Sequence, residues 1–202
     1  DTIAAHKRII FNGNGYSDEW VVEAERRGLP NIKCMVDAVP ALVKPEAVEI
    51  FEKHGVYTKA EMESRAEVMY ETYSKTINIE ALTMIDMAKK QIVPATIKYQ
   101  TSLAESVNAI KAASSAVDTS VQEALMADIS KKKKNINVAL AHLEEVAGKA
   151  EAMEEGAEQG HYYHDVVFTA MDELRKPADK LEMLVAKSAW PFPSYGDLIF
   201  EV

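Results

Sequence analysis

Apolar residues recur at helical spacing along the middle of the chain: Met62, Ala66, Met69, Tyr70, Tyr73, Ile77, Ala81, Leu82, Ile85, Ala88 and Ile92, then Tyr99, Leu103, Val107 and Ile110. Between Gly55 and Gly148 there is no glycine, and the only proline is Pro94, so little opposes helix formation there. Thr58 followed by Glu61 is the reciprocal capping pattern that satisfies free amides at a helix start. The pattern therefore predicts a helix from Lys59 to about Ala113. Pro94 lacks an amide donor and crowds the carbonyl four residues back, so a kink or a break into two helices is expected there. After a turn over Ser114 to Thr119, Ser120 and Glu123 repeat the capping pattern. Val121, Leu125, Ile129, Ile136, Leu140, Leu143, Ala147 and Met153 then form a second stripe, with Gly156 and Gly160 marking its end. A last helix over roughly His161 to Lys187 turns Tyr163, Val167, Met171, Leu174, Leu181 and Val185 inward, with Pro177 as its weak point. Three long stripes joined by short turns predict a mainly α fold, an antiparallel up-and-down bundle of long helices.

The two ends read differently. Residues 1–57 form a turn-rich lead-in with two short helices. Arg8 to Phe11 is a short apolar run ending in the turn Asn12-Gly13-Asn14-Gly15, which predicts a strand or extended entry. Ser17 can cap a helix whose first turn holds Asp18 and Glu19 and which Gly28 ends. Ile32 to Val36 reads as extended, Pro40 as an interruption, and Pro45 as the first turn of a helix stopping near Gly55. Residues 58–187 are the bundle. Residues 188–202 form an extended apolar tail with Trp190, Phe192, Tyr195, Leu198, Ile199 and Phe200, expected to dock on the bundle or on a neighbouring subunit.

Composition narrows the class. The 202 residues are 48% hydrophobic and 27% charged, enough to bury a real core. Thirty-two acidic residues against twenty-three basic ones leave a net charge of −9, which repels phosphate backbones and anionic lipid at long range. Neither nucleic acid nor membrane is an expected partner. Cys34 is the single cysteine, so no internal disulfide forms, and no apolar run is long enough to cross a bilayer. A cytoplasmic protein fits. The chain opens at Asp1 without a starting methionine or a signal-like segment, and reads as a piece of something longer.

Four features bear on chemistry. The run from Arg8 through Gly13-Asn14-Gly15 and a capped helix to Ile32–Asp37 imitates the first half of a dinucleotide fold, but Asp18 stands where the third glycine belongs and no further strands follow. His161 and His164 share one helical face, near Glu158 and Asp165, without a third ligand from another motif. Lys131 to Lys134 is a basic run without interleaved aromatics and reads as a solvated helix face. Glu80 and Asp86 are six residues apart and point to different sides of their helix, so they do not form an acid–base pair. No serine or cysteine lies in a nucleophile motif with any of the five histidines. The residues supply no catalytic, cofactor-binding or metal-binding set.

Particular segments carry more. Ile9-Ile-Phe-Asn-Gly-Asn-Gly-Tyr-Ser17 with Glu19-Trp20 is one, and Lys75-Thr-Ile-Asn-Ile-Glu-Ala-Leu-Thr-Met-Ile-Asp-Met-Ala-Lys-Lys90 leading to Pro94-Ala95 is another. Trp190-Pro-Phe-Pro-Ser-Tyr-Gly-Asp-Leu-Ile-Phe200 is the third. Together they resemble the C-terminal region of type III glutamine synthetases, over nearly the entire chain. The resemblance implies an ATP-dependent glutamate–ammonia ligase assembled as a large oligomer of stacked rings, with glutamate activated as a γ-glutamyl phosphate. It implies Mg²⁺ or Mn²⁺ held by glutamates and a histidine, and ATP as substrate, in domains upstream of the matched region. Glu63-Ser64-Arg65 has the letters of the family's strand-borne Glu-x-Arg substrate motif but falls within a predicted helix, so the role is not carried over. The expectation is a helical region for scaffolding, ring contacts or support of its own catalytic domain, inactive by itself. A free-standing helical interaction module and nucleotide binding at Gly13-Asn14-Gly15 are the alternatives.

Overall fold

The computed structural model describes residues 1–7 and 10–200. Arg8, Ile9, Glu201, Val202 and the side chain of Tyr195 lie outside the described residues, and with them part of the predicted Arg8–Phe11 strand and of the apolar tail. The described residues form helices joined by turns, with no strand among them, and they divide into two compact units, residues 1–66 and 67–202.

The first unit contains α1 (Thr2–Ala5), α2 (Asp18–Arg26), α3 (Met35–Leu42), α4 (Pro45–Lys53) and the start of α5 (Lys59–Met87). Asp18 and Glu19 sit in the first turn of α2, and Gly28 follows it at φ +71, a left-handed conformation that glycine adopts without strain. The Ser17 hydroxyl does not cap α2; it donates back to Asn14 O at 2.9 Å. Ile32–Val36 is not extended as predicted. Cys34 is the extended residue, its thiol donates to Asp37 Oδ2 at 2.9 Å, and Met35 opens α3. Pro40 does not interrupt that helix but lies inside it. Its missing amide costs one bond in a helix of 8 residues, against which Val36 and Val39 are buried. Pro45 stands in the first turn of α4 as expected. The cap of α5 forms as its letters require: Thr58 N–H and hydroxyl donate to Glu61 Oε2 at 2.7 and 2.8 Å, and Glu61 N–H donates to Thr58 Oγ1 at 3.3 Å.

The second unit holds the remainder of α5, then α6 (Val93–Ala113), α7 (Ser120–Glu151), α8 (Ala157–Tyr162), α9 (Phe168–Glu182) and α10 (Tyr195–Phe200). Pro94 is accommodated by a π turn at Ala88–Ile92 that leads into α6. The wider turn makes room for a proline ring that an α turn would press against the preceding carbonyl. A second π turn, Tyr163–Val167, links α8 to α9, while Pro177 sits buried within α9. Contacts run in opposite senses along the chain. Lys111 pairs with Glu123, Gln100 Nε2 donates to Met126 O at 3.1 Å, and Lys89 pairs with Glu144, so the segment 89–113 and α7 are antiparallel. Gln159 Nε2 reaches Ala150 O at 3.0 Å near the turn between α7 and α8, and α9 lies along α7 beyond it.

The core of this unit is the seam where Ile129, Ile136, Leu140, Leu143 and Ala150 of α7 meet Tyr163, Val167, Met171, Leu174 and Leu181, with Ile77, Ala81, Ala88 and Ile92 joining from the long helix. Each fully buried Leu or Ile contributes about 1.5–3 kcal/mol. All six inward residues predicted for the last helix are buried. Several details differ from expectation, beginning with Met69 and Leu82 of the first stripe, which are exposed. Val121 is exposed, because it precedes the part of α7 that is covered. Glu123 accepts from Thr119 Oγ1 at 2.8 Å rather than from Ser120, whose own hydroxyl donates to Asp118 Oδ2. Gly156, at φ +140, makes the break after α7, whereas Gly160 lies inside α8 and is buried. The tail is not extended throughout as predicted: Trp190 and Phe192 pack against the core, but α10 follows, capped by Ser194, whose N–H and hydroxyl both donate to Asp197 Oδ2 at 2.7 Å, and Leu198, Ile199 and Phe200 on it remain exposed.

Candidate functional site

Most of the sequence features with chemical content have structural contacts of their own. In the glycine turn, Asn14 Oδ1 accepts from Tyr16 N–H at 3.0 Å and Asn14 O accepts from Ser17, so the polar groups close on themselves. A Cβ at Gly13 would meet Phe11 Cζ at 2.6 Å, so a side chain there would displace the ring. Phe11 stacks on Trp20 with centroids 4.4 Å apart, and the Arg27 guanidinium lies 5.8 and 5.9 Å from the two rings while donating to Ile10 O. Glu23 anchors Arg26 and Arg27, and those two guanidiniums hold its carboxyl down at about 2. With α3 in place of a second strand, the turn lacks the strand–helix–strand frame that presents a pyrophosphate site.

His161 lies in α8 and His164 in the π turn. His164 Nδ1 is 2.7 Å from Asp165 Oδ1, and its ring faces Tyr73 at 6.4 Å. No group of three or more His, Cys, Asp or Glu among the described residues could hold a metal ion. Lys133 donates to Gln100 Oε1 at 2.5 Å, pinning α7 to α6, and Lys132 is half-buried beside it. Glu63-Ser64-Arg65 is inside α5: Glu63 pairs with Lys59 at 3.5 Å, and the Arg65 guanidinium lies 4.2 Å over the Tyr57 ring. Asp86 pairs with Lys90, on a different side of α5 from Glu80.

Glu80 belongs instead to the concave feature that sequence inspection missed. Two adjoining depressions, about 480 and 200 Å³, run between α5 and α9 and share Met84 and Arg175. Met84, Met87, Phe168 and Met171 line the groove, and Trp190 with Phe192 closes one end in an edge-to-face pair 6.2 Å apart. Ile79 and Phe168 on its rim are 64% and 51% exposed, which marks an apolar surface left open to solvent. The signal available in the sequence was Ile79, an apolar residue outside the helix stripe.

No helix among the described residues is long and apolar enough to cross a membrane. The described residues form an all-helical region with a capped, π-interrupted long helix and a surface groove between α5 and α9. Residues 1–111 match the family described as "Glutamine synthetase C-terminal domain", and the chain belongs to that family. It is 39% identical over 202 residues to a glutamine synthetase of Butyrivibrio fibrisolvens, a match covering all of this chain and 29% of that protein. It is 30% identical over 204 residues to the type-3 glutamine synthetase of Dictyostelium discoideum, covering 99% of this chain and 28% of that protein. A glutamine synthetase of Bacteroides fragilis (strain YCH46) is likewise 30% identical over 204 residues. The chain thus spans under a third of the length of the curated relatives it matches.

Proposed function

We propose that these 202 residues are the C-terminal helical region of a type III glutamine synthetase and act in scaffolding, subunit contacts and support of the catalytic domain. The complete enzyme makes glutamine from glutamate, ammonia and ATP in the cytoplasm. ATP and the Mg²⁺ or Mn²⁺ that neutralises the transferring phosphate are held by the rest of the polypeptide. The partners are its own catalytic domain and other subunits, with no nucleic acid or membrane. Within the region, 1–57 is the lead-in, 58–187 the bundle and 188–202 the docking tail. The observation that carries this reading is the alignment of the whole chain with 29% of a glutamine synthetase. The helical seam supports it, since long packed helices of this kind suit a scaffolding role.

The test is an assay with ATP, glutamate, ammonia and Mg²⁺. The isolated chain gives no glutamine above a heat-killed control, while the complete polypeptide turns over. Turnover by the isolated chain overturns the reading.

A further inference from the structure

We propose that the groove between α5 and α9 seats an amphipathic helix with basic flanks, supplied by the ligase polypeptide outside these 202 residues. The inference rests on the docking role proposed above and names the surface and the chemistry of its occupant. Its dimensions are those of a helix seat. From Phe168 to Glu182 the α9 wall rises about 21 Å at 1.5 Å per residue, the length of some four helical turns. Three methionines line it below the exposed Ile79 and Phe168, and thioether side chains repack readily around an incoming apolar face. A nucleotide or sugar would instead call for convergent polar groups, and here polar side chains stand only at the rim.

That rim selects the sign of the partner. Glu80, Asp172, Asp179 and Glu182 line the groove beside Arg175, which Asp179 engages at 3.3 Å, while Asp172 is paired with Lys176. Glu80 and Glu182 have no ion-pair partner among the described residues and lie on opposite walls, at the two ends of the groove. Lysine or arginine flanking an apolar stripe meets both. A second copy of this chain, itself at −9, approaches an acidic rim against like charge. The curated relatives carry more than two thirds of their length outside the part aligned here, which is ample chain to supply the helix.

The test uses the full chain and fluorescent peptides of about 18 residues with one Leu stripe each, flanked by Lys, flanked by Glu, or with the Lys version scrambled. The Lys-flanked peptide binds saturably and more than about tenfold tighter than either other peptide. Ile79→Asp and Phe168→Asp each weaken it by at least about tenfold at an unchanged helical circular-dichroism signal. The pair Glu80→Lys with Glu182→Lys, at exposed sites, reverses the preference toward the Glu-flanked peptide and decides the matter should either apolar variant lose its helix signal. Equal binding of all three peptides, or no binding, overturns the proposal. The source is read by placing a photo-crosslinking phenylalanine at Phe168 in the complete ligase polypeptide. Crosslinks to residues beyond the 202 aligned ones are expected. Crosslinks to the same region of another copy, or none, overturn it. A ligase that assembles normally with this groove empty sinks the inference and leaves the docking role to another face.

Discussion

Residues 1–66 and 67–202 reach order by different means. In the first unit short helices are held by contacts between near neighbours: the Thr58–Glu61 cap, the Cys34–Asp37 bond, and Phe11 and Trp20 stacked beneath Arg27. In the second, long helices bury a continuous apolar seam between α7 and α9, and partners lie far apart in sequence, as with Lys89 and Glu144. Local bonds are each worth about 1 kcal/mol, whereas a buried aliphatic side chain is worth two or three times that. Damage should therefore scale with the means of construction.

The largest effect is expected in the seam. Leu143→Ala empties a site with no solvent exposure and should cost about 2–5 kcal/mol, read as a lower urea midpoint at unchanged slope. A loss under 1 kcal/mol would mean that the α7–α9 contact does not dominate. An intermediate effect belongs to the start of α5. Thr58→Ala removes a hydroxyl that both donates and accepts in the cap and should cost about 1 kcal/mol, with Thr58→Ser recovering most of it. The smallest and most local effect concerns the tail. The Lys187 ammonium, with help from the Ser194 bonds, holds the Asp197 carboxyl at about 2, below its ordinary 3.8. Because the folded value is the lower one, this support is complete above 3.8 and is lost as pH falls to about 2. Asp197→Asn at pH 7 should speed amide exchange at Ser194 and Leu198 and leave the urea midpoint where it was. A shifted midpoint would place the tail among the structural elements of the bundle.

Legibility followed the same division. The cap at Thr58, the first-turn Pro45, the stop at Gly28 and the inward stripe from Tyr163 to Val185 are readable from letters, because each depends on residues three or four positions apart. Pro40 is the instructive failure. A proline ordinarily argues for a boundary, yet burial of Val36 and Val39 outweighs one missing bond. At Pro94 the expected disturbance is present, but its form, a π turn that keeps the long helix continuous into α6, depends on the seam holding Ala88 and Ile92 in place. Among the candidate sites, pattern identified what was locally incomplete: the missing third glycine and the missing third ligand. It did not find the groove, whose walls come from residues some ninety positions apart, from Ile79 to Arg175.

The sequence alone determined the long helices, the Thr58 cap and the inward stripe of the last helix, and its wording was enough to point to the family. These depend on backbone bonds and on 3.6-residue periodicity, which act within a few residues. Tertiary structure decided that Phe11 rests on Gly13, that α7 takes α9 as its main partner, and that Ile79 and Phe168 remain open above a methionine floor. Those outcomes depend on which surfaces compete for burial, and that competition is settled only when distant segments pack together.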